Sequence, residues 1–117
     1  MLSAVILSLV AQYSAPVDEV FVALADPTRR AVVRCLGGGP TSVGELARRF
    51  PMTLPSFMKH VRTLESSGLI RTVKQGRVRT CVLNRERLGL VEDWLAEQRR
   101  VWTERTDRLQ QFLEEES

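Results

Sequence analysis

The chain opens with apolar residues at helical spacing. Leu2, Val5, Ile6 and Leu9 recur at intervals of three and one. This period predicts an amphipathic helix over residues 1–16. The segment has no basic stretch before it and is too short to span a bilayer, which disfavours a signal peptide. Its apolar face needs a partner, and we expect it in a dimer interface.

Two short helices are predicted between residues 17 and 36. Apolar residues at helical spacing mark the first of them: Val17, Val20, Phe21 and Leu24. Asp26 can cap the second, and Pro27 is tolerated in its first turn, where the missing N–H costs no intrahelical hydrogen bond. The segment "GGGP" at 37–40 ends this helix, because glycine readily adopts the left-handed C-cap conformation and proline cannot continue a helix.

Two further helices follow, joined by the tight connection "PMT". Ser42 with Glu45 three residues later is the signature of a capping box at the start of the first. Thr53 is the expected N-cap of the second, a helix over Leu54–Ser66 that Gly68 closes. Three apolar residues at spacings of four and three point inward: Phe57, Val61 and Leu64.

Beyond Gly68 the apolar period changes from helical to alternating. The segment "LIRTVKQGRVRTCVLN" is rich in β-branched residues and predicts a β-hairpin with Gly76 in its turn. Its basic residues are Arg71, Lys74, Arg77 and Arg79.

From about Leu88 the pattern is helical again. Leu88, Leu95, Trp102 and Leu109 recur every seven residues, and Val91 and Phe112 occupy a second seam. A helix on the order of 40 Å long cannot be covered by one small core. We therefore expect four of these residues in a dimer interface: Leu95, Trp102, Leu109 and Phe112.

These elements predict a fold class that is mainly α with a small β-hairpin. Two helices joined by a tight turn and followed by a basic hairpin form a winged helix-turn-helix, with helical dimerisation elements at both ends. The domain organisation that follows is an N-terminal helix (1–16), a DNA-binding core (17–85) and a C-terminal dimerisation helix (86–117).

Charge is distributed unevenly along the 117 residues. Between Thr28 and Arg87 there are thirteen Lys or Arg and three Glu, a net charge of +10, whereas the remainder of the chain carries −7. A basic block within a folded region indicates a polyanionic partner, and random clustering on a solvated surface is the alternative. Two cysteines, Cys35 and Cys81, do not form a disulfide scaffold and suit the reducing cytoplasm.

A helix that lies in a DNA major groove keeps one face in the protein core and offers the other to the bases. We expect the polar face of the helix Leu54–Ser66 to contact DNA, with the hairpin supplying phosphate or minor-groove contacts. The predicted contacts on and before this helix are Thr53, Leu54, Ser56, Met58, Lys59, His60 and Arg62. Those on the hairpin are Lys74, Arg77 and Arg79.

Four segments together resemble the ArsR/SmtB family of bacterial winged-helix repressors: "ALADPTRRAVVRCL", "SVGELARRF", "MKHVRTLESSGLI" and "KQGRVRTCVLN". The resemblance covers residues 21–84 and implies a homodimer, an operator with two-fold symmetry and repression. Metal sensors of this family carry Cys-x-Cys where this chain has "ELARRF", and others use a histidine on the last helix, which this chain lacks. We therefore expect no metal and no cofactor. The family commonly has serine at the position of Met58.

The function predicted from these features is a homodimeric, sequence-specific DNA-binding repressor of the cytoplasm, with double-stranded DNA and a second copy as partners and no membrane. The alternative is a protein-interaction module on the same scaffold. No nucleophile–base pair or phosphate loop supports catalysis, so no catalytic residue is predicted. An unknown small-molecule effector, a partner protein or concentration alone are open alternatives for regulation.

Several side chains have two interpretations each. For His60 a structural or phosphate-positioning role is favoured over a ligand role. Trp94 and Trp102 are interpreted as packing in preference to an effector pocket, and Cys35 and Cys81 as packing in preference to a redox pair. Arg29 and Arg30 either contact phosphate or pair with Asp18 or Glu19.

Overall fold

The computed structural model describes residues 16–116. Five helices lie in this part of the chain: α1 (Pro16–Leu24), α2 (Pro27–Leu36), α3 (Val43–Arg48), α4 (Leu54–Ser66) and α5 (Arg85–Glu115). Three strands accompany them: β1 (Thr41–Ser42), β2 (Ile70–Gln75) and β3 (Val78–Leu83). The predicted N-terminal helix, with Leu2, Val5, Ile6 and Leu9, lies outside the described residues. No helix within 16–116 is both long and apolar enough to cross a membrane.

Three helices begin at side-chain caps, all at the predicted residues. Asp26 Oδ1 accepts a hydrogen bond from the Arg29 amide at 3.0 Å. Ser42 Oγ accepts one from the Glu45 amide at 3.2 Å. Thr53 Oγ1 accepts one from the Ser56 amide at 3.3 Å. Each bond satisfies an amide that has no partner within its own helix, so the starts of α2, α3 and α4 are determined locally.

Two predicted boundaries differ from the structure. The end of α2 was expected at a left-handed glycine cap, but Gly37 is right-handed with φ −60°, and Gly39 is the residue with positive φ. The amides of residues 37–39 continue to bond the last helical carbonyls, which delays the reversal of the chain. Helix α5 begins at Arg85 and not at about Leu88, since its first turn precedes the first apolar residue of the seven-residue repeat.

The hairpin is part of a three-stranded antiparallel sheet with strand order β1-β3-β2. Gln75 pairs with Val78, and Gly76, with φ +62°, is the first of two turn residues, as a type II′ turn requires. Strand β1 was not predicted. It pairs Thr41 with Cys81, and two residues are too few to show an alternating pattern.

The core lies between the short helices and the sheet. Phe57, Val61 and Leu64 of α4 are fully buried, as predicted from their spacing. Phe57 stacks on Phe50 with ring centroids 5.4 Å apart. The other buried apolar residues are Val20, Ala23, Val32, Leu36, Leu46, Leu69, Ile70 and Cys81. Burial of one face of α4 holds this helix against the core by the hydrophobic effect and leaves the opposite face for contacts outside the chain.

The connection from α4 to β2 depends on glycine at position 68. Gly68 has φ +80°, and a Cβ there would overlap the Arg87 side chain. We expect Gly68→Ala to reduce the free energy of unfolding by about 1–2 kcal/mol, because an L-residue is strained in this conformation. Urea denaturation measures the effect. Gly44→Ala is the matched control, since Gly44 lies in α3 with open space around its Cα. Equal stability of the two variants would contradict the prediction.

Candidate nucleic-acid interface

The outer face of α4 is polar and open to solvent. Thr53, Ser56, Lys59 and Arg62 are exposed, and Leu54 is 57% exposed. Thr53 Oγ1 donates a hydrogen bond to Ser56 Oγ at 3.0 Å, so the Ser56 hydroxyl is left as a donor. The Lys59 and Arg62 side chains make no hydrogen bond or ion pair with any residue in 16–116. This face therefore offers two cations and a hydroxyl donor at its surface.

Two of the predicted contact residues, Met58 and His60, are only partly exposed, and of these Met58 was predicted to face outward. Met58 is half-buried and packs against the core, because its position on α4 borders the face that carries Phe57 and Val61. The His60 side chain is only 22% exposed and points towards the start of α2. Both residues lie at the edge of the exposed face, beside the residues that project from it.

The predicted DNA-contacting cations of the hairpin, called the wing below, lie in two places: two on the paired strands and one in the turn. Lys74 and Arg79 are directly opposite each other in the β2–β3 register, and Arg77 lies in the turn. Strand alternation puts Lys74 on the same face as Thr72, whose hydroxyl donates to Glu65 of α4 at 3.3 Å. The Lys74–Arg79 pair therefore lies on the face of the wing that meets α4. Like charges directly opposite each other destabilise a strand pair, so this arrangement favours a bound anion.

Arg29 occupies a junction of three helices that the sequence interpretation missed. Its Nε donates to the carbonyl of Ala23 at 2.7 Å, and Nη2 donates to the carbonyl of Val22 at 3.1 Å. Nη1 lies 3.2 Å from Nδ1 of His60. Arg29 belongs to α2, the two carbonyls end α1, and His60 belongs to α4. The one sequence signal was a cation in the first turn of a helix, where the dipole disfavours it.

Arg29 and Arg30 do not pair with Asp18 or Glu19, which was one of the two predicted alternatives. Arg30 Nη1 donates to the carbonyl of Leu24 at 2.8 Å. Among residues 16–116 no salt bridge joins either arginine to those two carboxylates. Both guanidinium groups instead bond carbonyls at the C-terminal end of α1, of which that of Val22 also accepts from the Ala25 amide at 3.2 Å.

Asp26 lies beside the same junction, with Oδ1 3.8 Å from Nδ1 of His60. The hydrogen bond from the Arg29 amide lowers the pKa of Asp26 most, and partial burial opposes it. The charge of Arg29, and that of His60 where its ring is protonated, lower this pKa further. A carboxylate whose pKa is lowered on folding stabilises the folded state above its unfolded pKa. That contribution is lost as the pH falls through the folded pKa.

We expect Asp26→Asn to lower the free energy of unfolding by about 0.5 kcal/mol at neutral pH, because asparagine keeps the cap but not the charge. The difference from the wild type should shrink below about pH 4, where the wild-type carboxylate becomes protonated. Urea titrations of both proteins at neutral and at acidic pH measure it. A difference that stays constant with pH would contradict the assignment.

Neither cysteine has the surroundings of a reactive thiol. Cys81 is fully buried in the sheet, and burial, with the nearby Glu65 carboxylate, raises the pKa of its thiol. Cys35 is half-buried against the core, and both are free thiols. In the part of the chain that the structure describes, no three His, Cys, Asp or Glu side chains converge on a point where a metal ion could bind.

Helix α5 leaves the core after its first two turns. Leu88 and Val91 pack against the core, but the seven-residue repeat continues into exposed side chains. Trp102 is 67% exposed and Leu109 is 59% exposed, and the same exposed surface includes Leu95, Phe112 and Leu113. The opposite side of α5 is polar, with Arg100 paired to Glu97 at 2.6 Å and to Glu104 at 3.1 Å. An amphipathic helix of this kind needs a partner for its apolar face.

Trp94 differs from the other large apolar residues of α5. Its ring packs edge-on against Phe21 of α1, with centroids 5.3 Å apart. Aromatic pairs prefer this geometry, and the contact joins the start of α5 to the helix-turn-helix core. The interpretation of Trp94 as a packing residue agrees with this contact.

Known proteins resemble the chain over most of its length. Residues 24–73 match the family profile of a helix-turn-helix domain. The HTH-type transcriptional regulator Rv2034 of Mycobacterium tuberculosis is 35% identical over 104 residues, which cover 89% of this chain and 94% of the relative. The transcriptional repressor SdpR of Bacillus subtilis is 33% identical over 60 residues, 51% of this chain and 67% of the relative.

A solved structure gives the family. The crystal structure of the ArsR family transcriptional regulator RHA00566 is 57% identical, with a TM-score of 0.74. The match covers 76% of this chain and 98% of the RHA00566 chain. Taken with the matched helix-turn-helix domain and the regulator relatives, these likenesses show that the chain belongs to the ArsR family of winged helix-turn-helix, DNA-binding transcriptional regulators.

Proposed function

We propose that this chain is a cytoplasmic, homodimeric repressor that binds an inverted-repeat operator. The observation that carries the proposal is the combination of two cationic surfaces: Lys59 and Arg62 on the exposed face of α4, and the Lys74–Arg79 pair on the face of the wing that meets α4. A helix and an adjacent hairpin that both carry cations can contact a groove and its flanking phosphates. Repression is the activity named for SdpR, and it extends to this chain as part of the proposal.

The proposed contacts divide by chemistry. Lys59 and Arg62 extend from the middle of α4 and are assigned to base edges, where long donor side chains discriminate guanine. Thr53, Leu54 and Ser56 lie at the start of α4 and are assigned to the backbone and the first base. Lys74, Arg77 and Arg79 are assigned to phosphates or the adjacent minor groove. Met58 and His60, which are half-buried, support this surface from its edge.

The dimer interface is assigned to the exposed apolar face of α5, formed by Leu95, Trp102, Leu109 and Phe112. A second copy is the proposed partner because the face continues the core-packing repeat beyond the core, and because two-fold symmetry matches an inverted repeat. Residues 17–85 then form the DNA-binding core and 86–117 the dimerisation helix. The two recognition helices would lie roughly 34 Å apart, in successive major grooves. A role for a small-molecule effector stays a prediction.

The test is selection of a preferred sequence from a pool of randomised duplexes, followed by fluorescence anisotropy on the selected duplex and a scrambled control. A preferred inverted repeat, bound by two protomers with an affinity that falls as salt rises, is the expected result. Equal affinity for both duplexes would reject the specific repressor. No binding at low salt would favour a protein-interaction module instead.

A further inference from the structure

We propose that Arg29 and His60 are positioning residues that set the orientation of the recognition helix α4 in the DNA groove. This inference rests on the proposed function. In this role His60 does not contact phosphate. Its Nδ1 instead bonds Arg29 within the protein and so holds α4 in place.

The geometry of Arg29 leaves little freedom. Two of its three nitrogens bond the carbonyls of Ala23 and Val22 at 2.7 and 3.1 Å, and its amide is held by the Asp26 cap at 3.0 Å. The guanidinium group is planar with donors in a rigid fork, so these bonds fix the direction of Nη1. Nη1 then meets Nδ1 of His60 at 3.2 Å. The corner between α1 and α2 is thereby connected to the middle of α4.

The chemistry of the two partners determines the tautomer of His60. An arginine can only donate, so Nδ1 must be the acceptor and the neutral imidazole carries its proton on Nε2. The Asp26 carboxylate, at 3.8 Å from Nδ1, is beyond hydrogen-bond distance. Two charged groups from the start of α2 thus face Nδ1 of His60, Arg29 Nη1 at 3.2 Å and Asp26 Oδ1 at 3.8 Å. Lys59 is the neighbour of His60 in the sequence of α4.

The Arg29–His60 hydrogen bond gives α4 a directional contact, which its apolar face does not provide. Phe57, Val61 and Leu64 hold the helix against the core, but hydrophobic contacts are not directional. The Arg29–His60 bond is directional and lies beside Lys59, one residue away in sequence. Bidentate contacts to base edges tolerate little displacement, so a small rotation of α4 would weaken base recognition and leave attraction to phosphates intact.

Two substitutions of His60 separate the positioning role from a DNA contact. Asparagine places an amide oxygen near the position of Nδ1 and can still accept from Arg29, whereas glutamine places its amide near Nε2. We expect His60→Asn to keep the ratio of operator to scrambled-duplex affinity within about 3-fold of the wild type. His60→Gln should lower this ratio about 10-fold, with unchanged affinity for the scrambled duplex.

Substitution of Arg29 provides a second test of the positioning role. Arg29→Gln should lower the same ratio by a similar factor. Arg30→Gln is the matched control, because Arg30 bonds the carbonyl of Leu24 and makes no hydrogen bond or ion pair with α4 within residues 16–116. It should leave the ratio unchanged. If Arg29→Gln fails to fold, the pair of His60 variants still decides the proposal.

The imidazole of the wild-type protein gives a readout that needs no DNA. We expect ¹⁵N NMR at neutral pH to show an unprotonated Nδ1 and a protonated Nε2, and we expect this preference to weaken in Arg29→Gln. A protonated Nδ1, or a normal ratio in His60→Gln with a lowered one in His60→Asn, would overturn the positioning role. A wild-type protein that selects no DNA sequence would overturn the proposed function itself, which the selection experiment detects separately.

Discussion

Replacing Trp102 by glutamate should convert the dimer into a monomer and lower operator affinity by roughly 100-fold or more. Trp102 is the most exposed large apolar residue of α5 and lies on the same line as Leu95 and Leu109. In a two-fold interface the substitution acts twice, and two carboxylates would be buried close together without partners. A monomer binds only one half-site and loses the increase in affinity that comes from linking two DNA-binding units.

Sedimentation equilibrium and fluorescence anisotropy measure this change. Gln111→Glu is the matched control, since it adds the same charge on the opposite side of α5 and should leave both the dimer and the affinity unchanged. Circular dichroism should show that the helix-turn-helix core of the Trp102 variant stays folded, because α5 contributes no fully buried residue to that core. A Trp102→Glu protein that remains dimeric would reject the assigned interface.

Replacing Lys74 or Arg79 by threonine should weaken operator binding about 10-fold at low salt and reduce the slope of log affinity against log salt by about 2 per dimer. The same change should leave the free energy of unfolding unchanged or raise it by a few tenths of a kcal/mol. The reason is that the two cations are directly opposite each other in the sheet. Threonine is suited to a strand, so the backbone is not penalised.

The opposite signs of the two effects make this test specific. Arg71→Thr is the matched control: Arg71 is exposed on β2 but points to the other face of the strand from Lys74. We expect it to leave the salt slope nearly unchanged. Anisotropy at several salt concentrations and urea denaturation provide the two measurements. A large loss of stability in the Lys74 variant, or an unchanged salt slope, would remove the pair from the DNA contacts.

Much of the secondary structure could be predicted from the sequence because it depends on local interactions. Asp26, Ser42 and Thr53 each cap a helix through an amide three residues away, so the starts of these helices depend on short segments. The spacing of Phe57, Val61 and Leu64 determined which face of α4 is buried. The turn at Gly76 and the seven-residue repeat of α5 are equally local patterns.

Tertiary structure decided the features that join distant segments. Residues 29 and 60 are 31 positions apart, and no periodicity links them; their contact exists because α1, α2 and α4 meet at one corner. The pairing of β1 with β3 and the half-burial of Met58 likewise follow from packing. Residues within one or two turns of each other were enough to predict the five described helices, the β2–β3 hairpin, the inward face of α4 and the concentration of basic residues in the middle of the chain. The orientation of the recognition helix was decided by the three-dimensional junction, since a directional bond there needs both partners in place.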